Sequence, residues 1–149
     1  MHFPFKKILC PVGFDDQEGA TLDAAKQLAG GVATVYLLHV VPSLPAIGEP
    51  HVAKTVEEEK PAEAKALKML KELAAQRLPG LKCETLTETA FLTDTSKAIL
   101  TAAREIKPDL IVMPTHGRSG LTRLILGSVT EGVVREALCP VLTIRTSAS

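Results

Sequence analysis

The sequence predicts a doubly wound α/β fold, in which helices cover both faces of a parallel sheet. Short apolar runs alternate with longer amphipathic segments, a repetition typical of parallel strands connected by helices. Two of these runs, Val32–Val41 and Leu110–Met113, are apolar on both faces, as expected of strands that are covered on both sides. Right-handed crossovers then place helices on each face of the sheet. The 149 residues suffice for one domain, residues 1–149, and are too few for two.

The first strand and helix are predicted from a buried run and the helix signals that follow it. Lys7–Val12 is apolar after its first residue and has the length of a buried strand. Asp15 or Asp16 can cap the next helix, and Gly30 and Gly31 end it. The predicted inward residues of this helix are Ala20, Ala24 and Leu28.

The remaining elements continue the alternation. After the strand Val32–Val41, the Pro- and Gly-bearing segment Pro42–Pro50 leads to a helix over Val56–Leu78. Lys82–Thr89 alternates more weakly, so we place this strand near a sheet edge. The last third predicts a helix from Asp94 or Thr95 to Ile106, the strand Leu110–Met113, a helix near Ser128–Ala137 and a strand over Val141–Ile144. The predicted inward residues are Ala64, Leu67, Leu70 and Leu73 on the second helix and Ala98, Ile99 and Ala102 on the third.

The composition argues against several classes of function. The 17 basic and 17 acidic residues balance, whereas binding to nucleic acid or a membrane surface needs a cationic excess. Aromatic residues make up 3%, too few for stacking platforms for single-stranded nucleic acid. The three cysteines, Cys10, Cys83 and Cys139, are widely spaced and predict thiols rather than a disulfide framework or metal site. Without a signal peptide or membrane span, we expect a cytoplasmic protein with no nucleic-acid or membrane partner.

The segment Met113–Glu131 carries the clearest functional signal. It leaves a buried strand, and its Gly117 and Gly120 allow the backbone to approach a ligand closely. Gly127 and Ser128 then open a helix, whose N-terminal amides attract phosphate. The pattern predicts a phosphorylated ligand, although neither a Walker lysine nor a Rossmann glycine motif is present. The candidate side-chain donors are His116, Arg118 and Arg123.

Several of these residues also have a purely structural interpretation. The run Ser128–Glu131 has the spacing of a capping box, so its serine closes the helix, contacts phosphate, or does both. We favour His116 as a polar loop residue, and Arg118 remains an open phosphate candidate. Cys10 is favoured as a buried, inert thiol, and His39 as a partly buried, hydrogen-bonded residue.

The glycine segment resembles the signature of the universal stress protein family, Gly-x2-Gly-x9-Gly-Ser/Thr. Gly117, nine intervening residues and Gly127-Ser128 match its second half, as do the surrounding THGRSG and LGSVTE. KKILCPV, LLHVV, KPDLIVM and CPVLTIR extend the similarity along the chain. The resemblance implies strand order 3-2-1-4-5 and ATP, with or without Mg²⁺, bound between the ends of strands one and four. It also implies a homodimer through the last strand, Val141–Ile144.

The resemblance further implies which residues contact the nucleotide. Pro11, Val12 and Gly13 would lie by the adenosine, and Val41 against the adenine. Pro114, Gly117, Gly127, Ser128 and Val129 would surround the phosphates. The neighbouring loop residues Met113, His116, Arg118 and Gly120 complete the predicted nucleotide site.

Two positions depart from the family pattern. Pro114 replaces the first signature glycine, and proline has no N–H to donate and narrows the approach. Gly13 stands where an acidic residue would bond the ribose hydroxyls. Asp15 or Asp16 is an alternative source of that carboxylate, although helix capping is the simpler account of both. One lost ribose contact would weaken ATP binding by about 1–3 kcal/mol, roughly ten- to hundredfold.

Three functions are compatible with these residues. The glycine loop favours a stress-response module that binds an adenine nucleotide, ATP before others. A slow ATPase or autokinase is less favoured, because the loop contains neither paired carboxylates for Mg²⁺ nor an evident base. A nucleotide-free, dimeric interaction protein of the same fold is the alternative that Pro114 and Gly13 support.

Overall fold

The computed structural model describes residues 3–43, 56–116 and 126–145, with the side chains of 56–59 excepted. Its strands are β1 Lys7–Pro11, β2 Thr34–Pro42, β3 Cys83–Ala90, β4 Leu110–Pro114 and β5 Val141–Ile144. Its helices are α1 Glu18–Ala29, α2 Val56–Arg77, α3 Thr95–Ile106 and α4 Ser128–Glu136, with a short 3₁₀ turn at Leu92–Asp94. The predicted alternation of strands and helices is therefore confirmed within these ranges.

The strands form a parallel sheet in the order β3-β2-β1-β4-β5. This confirms the expected order and the edge position of the third strand. Ile8 of the central strand β1 lies opposite Val35 of β2 and Leu110 of β4. The chain runs outward from β1 to β3 and then resumes on the other side of β1. The order therefore reverses between β1 and β4, which is where open parallel sheets bind ligands.

Alternate residues of the strands face two separate hydrophobic cores. On one face, Ile8 packs in a cluster with Leu22 of α1 and Leu70 of α2. On the other face, Leu9 packs with Ile99 of α3 and Val133 of α4. Helices therefore cover both faces, as predicted, and each fully buried side chain of this size contributes about 1.5–3 kcal/mol. None of the helices in the described ranges is long and apolar enough to cross a membrane.

The inward faces of the first two helices differ from the predicted ones. In α1, Ala20 is exposed, and Ala24 and Leu28 are only partly buried. The predicted stripe lies one residue, about 100° around the helix, from the buried residues Thr21, Ala25 and Ala29. In α2, Leu70 is buried as expected, but Ala64 is exposed because it lies about 120° around the helix from Leu70. The observed buried residues of α1 are Thr21, Leu22, Ala25 and Ala29.

The cysteines are free thiols, and the one nearest the strand end is deeply buried. Cys10 is fully enclosed in β1, whereas Cys83 and Cys139 are half-buried. Burial raises the pKa of the Cys10 thiol to about 12, and the nearby Cys83 adds to the shift. A thiol with this pKa stays protonated at neutral pH and is a poor nucleophile. The prediction that Cys10 is a buried thiol is confirmed.

Candidate functional site

A small pocket opens where β1 and β4 end side by side. The pairing of Leu9 with Ile111 aligns the two strands, so their carboxyl ends reach the same edge of the sheet. The pocket therefore lies at the reversal of strand order, the usual ligand position in this class of fold. Its lining consists of Pro11, Val12, Gly13, Asp15, Glu18, Thr21, Leu22 and Pro114.

The turn that follows β1 is held in place by His39 of β2. The Nδ1 atom of His39 lies 2.7 Å from the carbonyl oxygen of Val12, and the Val12 amide donates to Leu38 O at 2.7 Å. The Phe14 ring packs against the imidazole with ring centroids 4.5 Å apart. The Phe14 backbone has φ of +58°, a conformation that bulky residues rarely adopt. His39 is thus the partly buried, hydrogen-bonded residue that the sequence predicts, and it orders one wall of the pocket.

The start of α1 brings two carboxylates to the pocket. Asp15 Oδ1 accepts a hydrogen bond from the Gln17 amide at 2.9 Å, and the Asp15 amide donates to Glu18 Oε1 at 3.1 Å. The residue at the cap position of α1 is Gln17, whose side chain makes no capping bond. The cap position of α1 is therefore later than the predicted Asp15 or Asp16. Asp15 does make the predicted kind of bond, because it exchanges the two hydrogen bonds of a capping box across the turn that precedes the helix.

The end of β4 is tied to α4 and β5. Buried Thr130 donates its hydroxyl to the Pro114 carbonyl at 2.9 Å, and the Gly127 amide donates to Thr115 O at 2.8 Å. The Thr115 amide donates to Ile144 O at 3.0 Å. Because proline has no amide hydrogen and the Thr115 amide is already bonded, these two positions provide no N–H for a ligand.

The first turn of α4 is the anion-attracting part of the described site. Gly127 caps the helix with φ of −61° and ψ of 157°, and the helix begins at exposed Ser128. Since Ser128 lies one residue inside the helix and Glu131 pairs with Arg135, the predicted capping box is wrong. The first amides of a helix have no partner within it and lie at the positive end of its dipole. The amides of Ser128 and Val129 are therefore placed to bind an anion.

The other predicted site residues occupy different positions. Met113 is buried at the end of β4, and Val41 is buried near the end of β2. His116 follows β4, with its Nδ1 3.0 Å from the Thr115 hydroxyl. Val129 is partly buried in the first turn of α4. Gly117, Arg118 and Gly120 lie outside the described residues.

Three residues that line the pocket were not predicted from the sequence: Glu18, Thr21 and Leu22. Asp15, which the sequence offered as an alternative source of the ribose carboxylate, also lines the pocket. Asp15 and Glu18 have the three-residue spacing of a helix start, which by itself indicates capping and not a ligand. Thr21 and Leu22 were missed because the predicted inward face of α1 begins at Ala20, one residue before the face that is buried in the structure.

Comparison with known proteins gives the family. A model of the universal stress protein family matches residues 4–145. The chain belongs to the universal stress protein family. Universal stress protein MJ0531 of Methanocaldococcus jannaschii is 34% identical over 147 residues, which cover 95% of this chain and 82% of that protein. Universal stress protein A homolog 2 of Coxiella burnetii is 32% identical over 148 residues, covering 97% of this chain and 98% of that protein.

Solved structures share the fold over almost the whole chain. The structure of MJ0577 from Methanocaldococcus jannaschii has a TM-score of 0.76 at 26% identity and covers 97% of this chain and 98% of that one. A universal stress protein in complex with cAMP has a TM-score of 0.67 at 20% identity, covering 97% and 99% of the two chains. The Archaeoglobus fulgidus protein in complex with dAMP has a TM-score of 0.57 at 21% identity, covering 95% and 99%. At these two lower identities the likeness concerns the fold alone.

Proposed function

We propose that this chain is a cytoplasmic stress-response module that binds an adenine nucleotide, ATP before others, between the ends of β1 and β4. The observation that most supports this proposal is the hydrogen bond from the Thr130 hydroxyl to the Pro114 carbonyl, 2.9 Å long. This bond holds the first turn of α4 against the strand that also lines the pocket. Helix amides suited to phosphate and a pocket beside β1 therefore share one edge of the sheet.

Two further observations support a nucleotide as the ligand. The pocket at the β1 end holds the Asp15 carboxylate, an acceptor for sugar hydroxyls, beside Val12 and half-buried Gly13. Two solved proteins of the same fold are in complex with cAMP and dAMP, so this fold accommodates adenine nucleotides elsewhere. We expect binding rather than turnover to be the activity, with the bound state altering how the protein contacts its partners.

We also propose that the protein forms a homodimer through β5. This strand lies at the sheet edge and has one neighbour, β4, within the described sheet. Two apolar side chains are exposed near this edge: Leu142 of β5 is 37% exposed, and Val134 of α4, which packs against β5, is 44% exposed. Leu142→Glu should convert the dimer to a monomer by light scattering, whereas Leu92→Glu, on the exposed turn after β3, should leave the mass unchanged. A monomeric native protein would remove this part of the proposal.

A nucleotide-free interaction protein is the second candidate, and one observation favours it. Pro114 has no amide hydrogen and the Thr115 amide donates to Ile144 O, so β4 itself provides no phosphate donor there. On this alternative the dimer and the surface would carry the function. The two candidates differ in one measurable property, the affinity for adenine nucleotides.

Calorimetric titration with ATP, ADP, AMP and cAMP, with and without Mg²⁺, tests the proposal. Binding without hydrolysis would support it, and no heat at millimolar nucleotide would favour the nucleotide-free candidate. Gly127→Val should abolish binding, because its side chain would enter the space in front of the α4 amides. The Gly127 torsions, φ −61° and ψ 157°, are open to valine, so the variant should still fold. Asp94→Val changes the cap of α3 instead and should bind normally.

A further inference from the structure

The side chain of Asp15 occupies the space beside Gly13. A β-carbon built on Gly13 would lie 3.0 Å from Asp15 Oδ2, closer than side chains normally pack. The absence of a side chain at position 13 is therefore what lets the Asp15 carboxylate fold back beside the end of β1. Both residues line the pocket, together with Val12 and Pro114.

The Asp15 carboxylate is fixed in place and keeps one oxygen available. Its Oδ1 accepts from the Gln17 amide at 2.9 Å, and its own amide donates to Glu18 at 3.1 Å. No hydrogen bond within the described ranges uses Oδ2. The side chain is thus oriented by its own turn before any ligand arrives, which lowers the entropic cost of using it for binding.

The neighbouring acids are less suited to this task. Asp16 is exposed and does not line the pocket, whereas Asp15 is half-buried and does. Glu18 lines the pocket, but its Oε1 accepts the hydrogen bond from the Asp15 amide. Of these three carboxylates, Asp15 is the one that is both oriented and directed beside the strand end.

The charge distribution also indicates which end of a bound nucleotide faces α1 and which end faces α4. Two carboxylates border the pocket beside α1, whereas the N-terminal amides of α4 lie on the β4 side. Phosphate is repelled by the acids and attracted by the helix N-terminus. The uncharged, hydroxyl-bearing part of a nucleotide therefore belongs beside Asp15. Carboxylates bind ribose hydroxyls in this way in other nucleotide sites, because a carboxylate accepts hydrogen bonds from both of a pair of hydroxyls.

We propose that Asp15 is the residue of this site that selects ribose, with Oδ2 accepting hydrogen bonds from the 2′- and 3′-hydroxyls. The inference rests on the proposed nucleotide site and adds a specificity to it. The protein should then bind ATP at least about tenfold more tightly than 2′,3′-dideoxy-ATP, the usual effect of hydrogen bonds to a charged group.

The test measures both nucleotides on matched variants by calorimetry. Asp15→Asn keeps an oxygen for the Gln17 amide and replaces Oδ2 by an NH₂ group, so the turn should persist. This variant should bind ATP about tenfold more weakly and dideoxy-ATP within about twofold of the native protein, so that discrimination is lost. Asp16→Asn makes the same change of charge on an exposed neighbour and should behave like the native protein.

A second variant gives the same readout with the carboxylate retained. Gly13→Ala places a β-carbon 3.0 Å from Oδ2 and displaces it, so discrimination should fall by about threefold. If native protein binds ATP but neither variant changes the ratio of the two affinities, the role of Asp15 is wrong and the nucleotide site stands. Equal affinity of the native protein for ATP and dideoxy-ATP would likewise rule out the role of Asp15 and leave the nucleotide site standing. Failure of native protein to bind either nucleotide at millimolar concentration overturns both the site and the role.

Discussion

Replacing Thr130 by valine tests how α4 is held against β4. The Thr130 side chain is buried, at 2% exposure, and its hydroxyl donates to Pro114 O across 16 residues of sequence at 2.9 Å. Valine has nearly the same shape, so Thr130→Val removes the hydrogen bond without opening a cavity. A hydrogen bond contributes about 0.5–1.5 kcal/mol, and a buried acceptor left without its donor costs about 1–3 kcal/mol. We therefore expect the variant to lose about 1–2 kcal/mol of unfolding free energy.

The assay is urea unfolding followed by circular dichroism, with the slope of the transition expected to be unchanged. Thr101→Val is the matched control, because the exposed Thr101 hydroxyl donates to Lys97 O within α3 at 2.9 Å. Its effect should stay within about 0.5 kcal/mol, as for most surface substitutions. Nucleotide affinity should fall in Thr130→Val and not in Thr101→Val. A Thr130→Val protein as stable as the native one, or equal losses in both variants, would show that this hydrogen bond does not hold α4 against β4.

Three other perturbations follow from the structure. In Gly132→Ala the new β-carbon would lie 2.8 Å from Ser96 Cβ. This overpacking outweighs the gain in helix propensity, so urea unfolding should show a loss of about 1–2 kcal/mol of stability. Adding Ser96→Gly should restore the lost stability. Burial and, second, the charge of Glu105 raise the pKa of Glu88, so its ionised carboxylate destabilises the folded protein at pH 7. Glu88→Gln removes this charge and should raise the stability at pH 7. The gain should shrink as the pH falls toward 4.5, because protonation then neutralises Glu88 in the native protein. The Cys10 thiol is protonated to about pH 12 when folded but ionises near 9.0 when unfolded, so stability should fall as pH rises between these values. The slope should reach about 1.4 kcal/mol per pH unit and should be shallower in Cys10→Ala, with equal slopes contradicting the assignment.

The sequence was most informative where a residue pattern has one structural meaning. The run Leu110–Met113 is apolar at every position and became the buried strand β4, and the bounds of β5 agree with the prediction. Residue pattern alone does not order strands in a sheet, so the order came from the family resemblance. The meeting of Pro11 and Pro114 was predictable, because parallel neighbours end at the same edge.

The sequence was least informative where one pattern fits two local structures. The spacing of Asp15 and Glu18 indicates a helix cap, but Asp15 closes the turn before the helix and its second oxygen lies beside Gly13. Ser128 and Glu131 have the spacing of a capping box, yet Gly127 in an extended conformation takes the cap position. In both cases a shift of one or two residues in the helix start changes the role of a side chain. Such shifts depend on tertiary bonds, for example the one between Gly127 and Thr115.

A titration of ¹⁵N-labelled protein with ATP, followed through the backbone amide resonances, tests whether a nucleotide binds between β1 and β4. Nucleotide bound between β1 and β4 predicts that Val12, Gly13, Ser128 and Val129 shift together with one dissociation constant. Lys107 and Leu138, at the edge where β4 and β5 begin, should not move. Unchanged spectra at millimolar ATP, or shifts concentrated around Lys107 and Leu138, would show that ATP does not bind at this edge of the sheet.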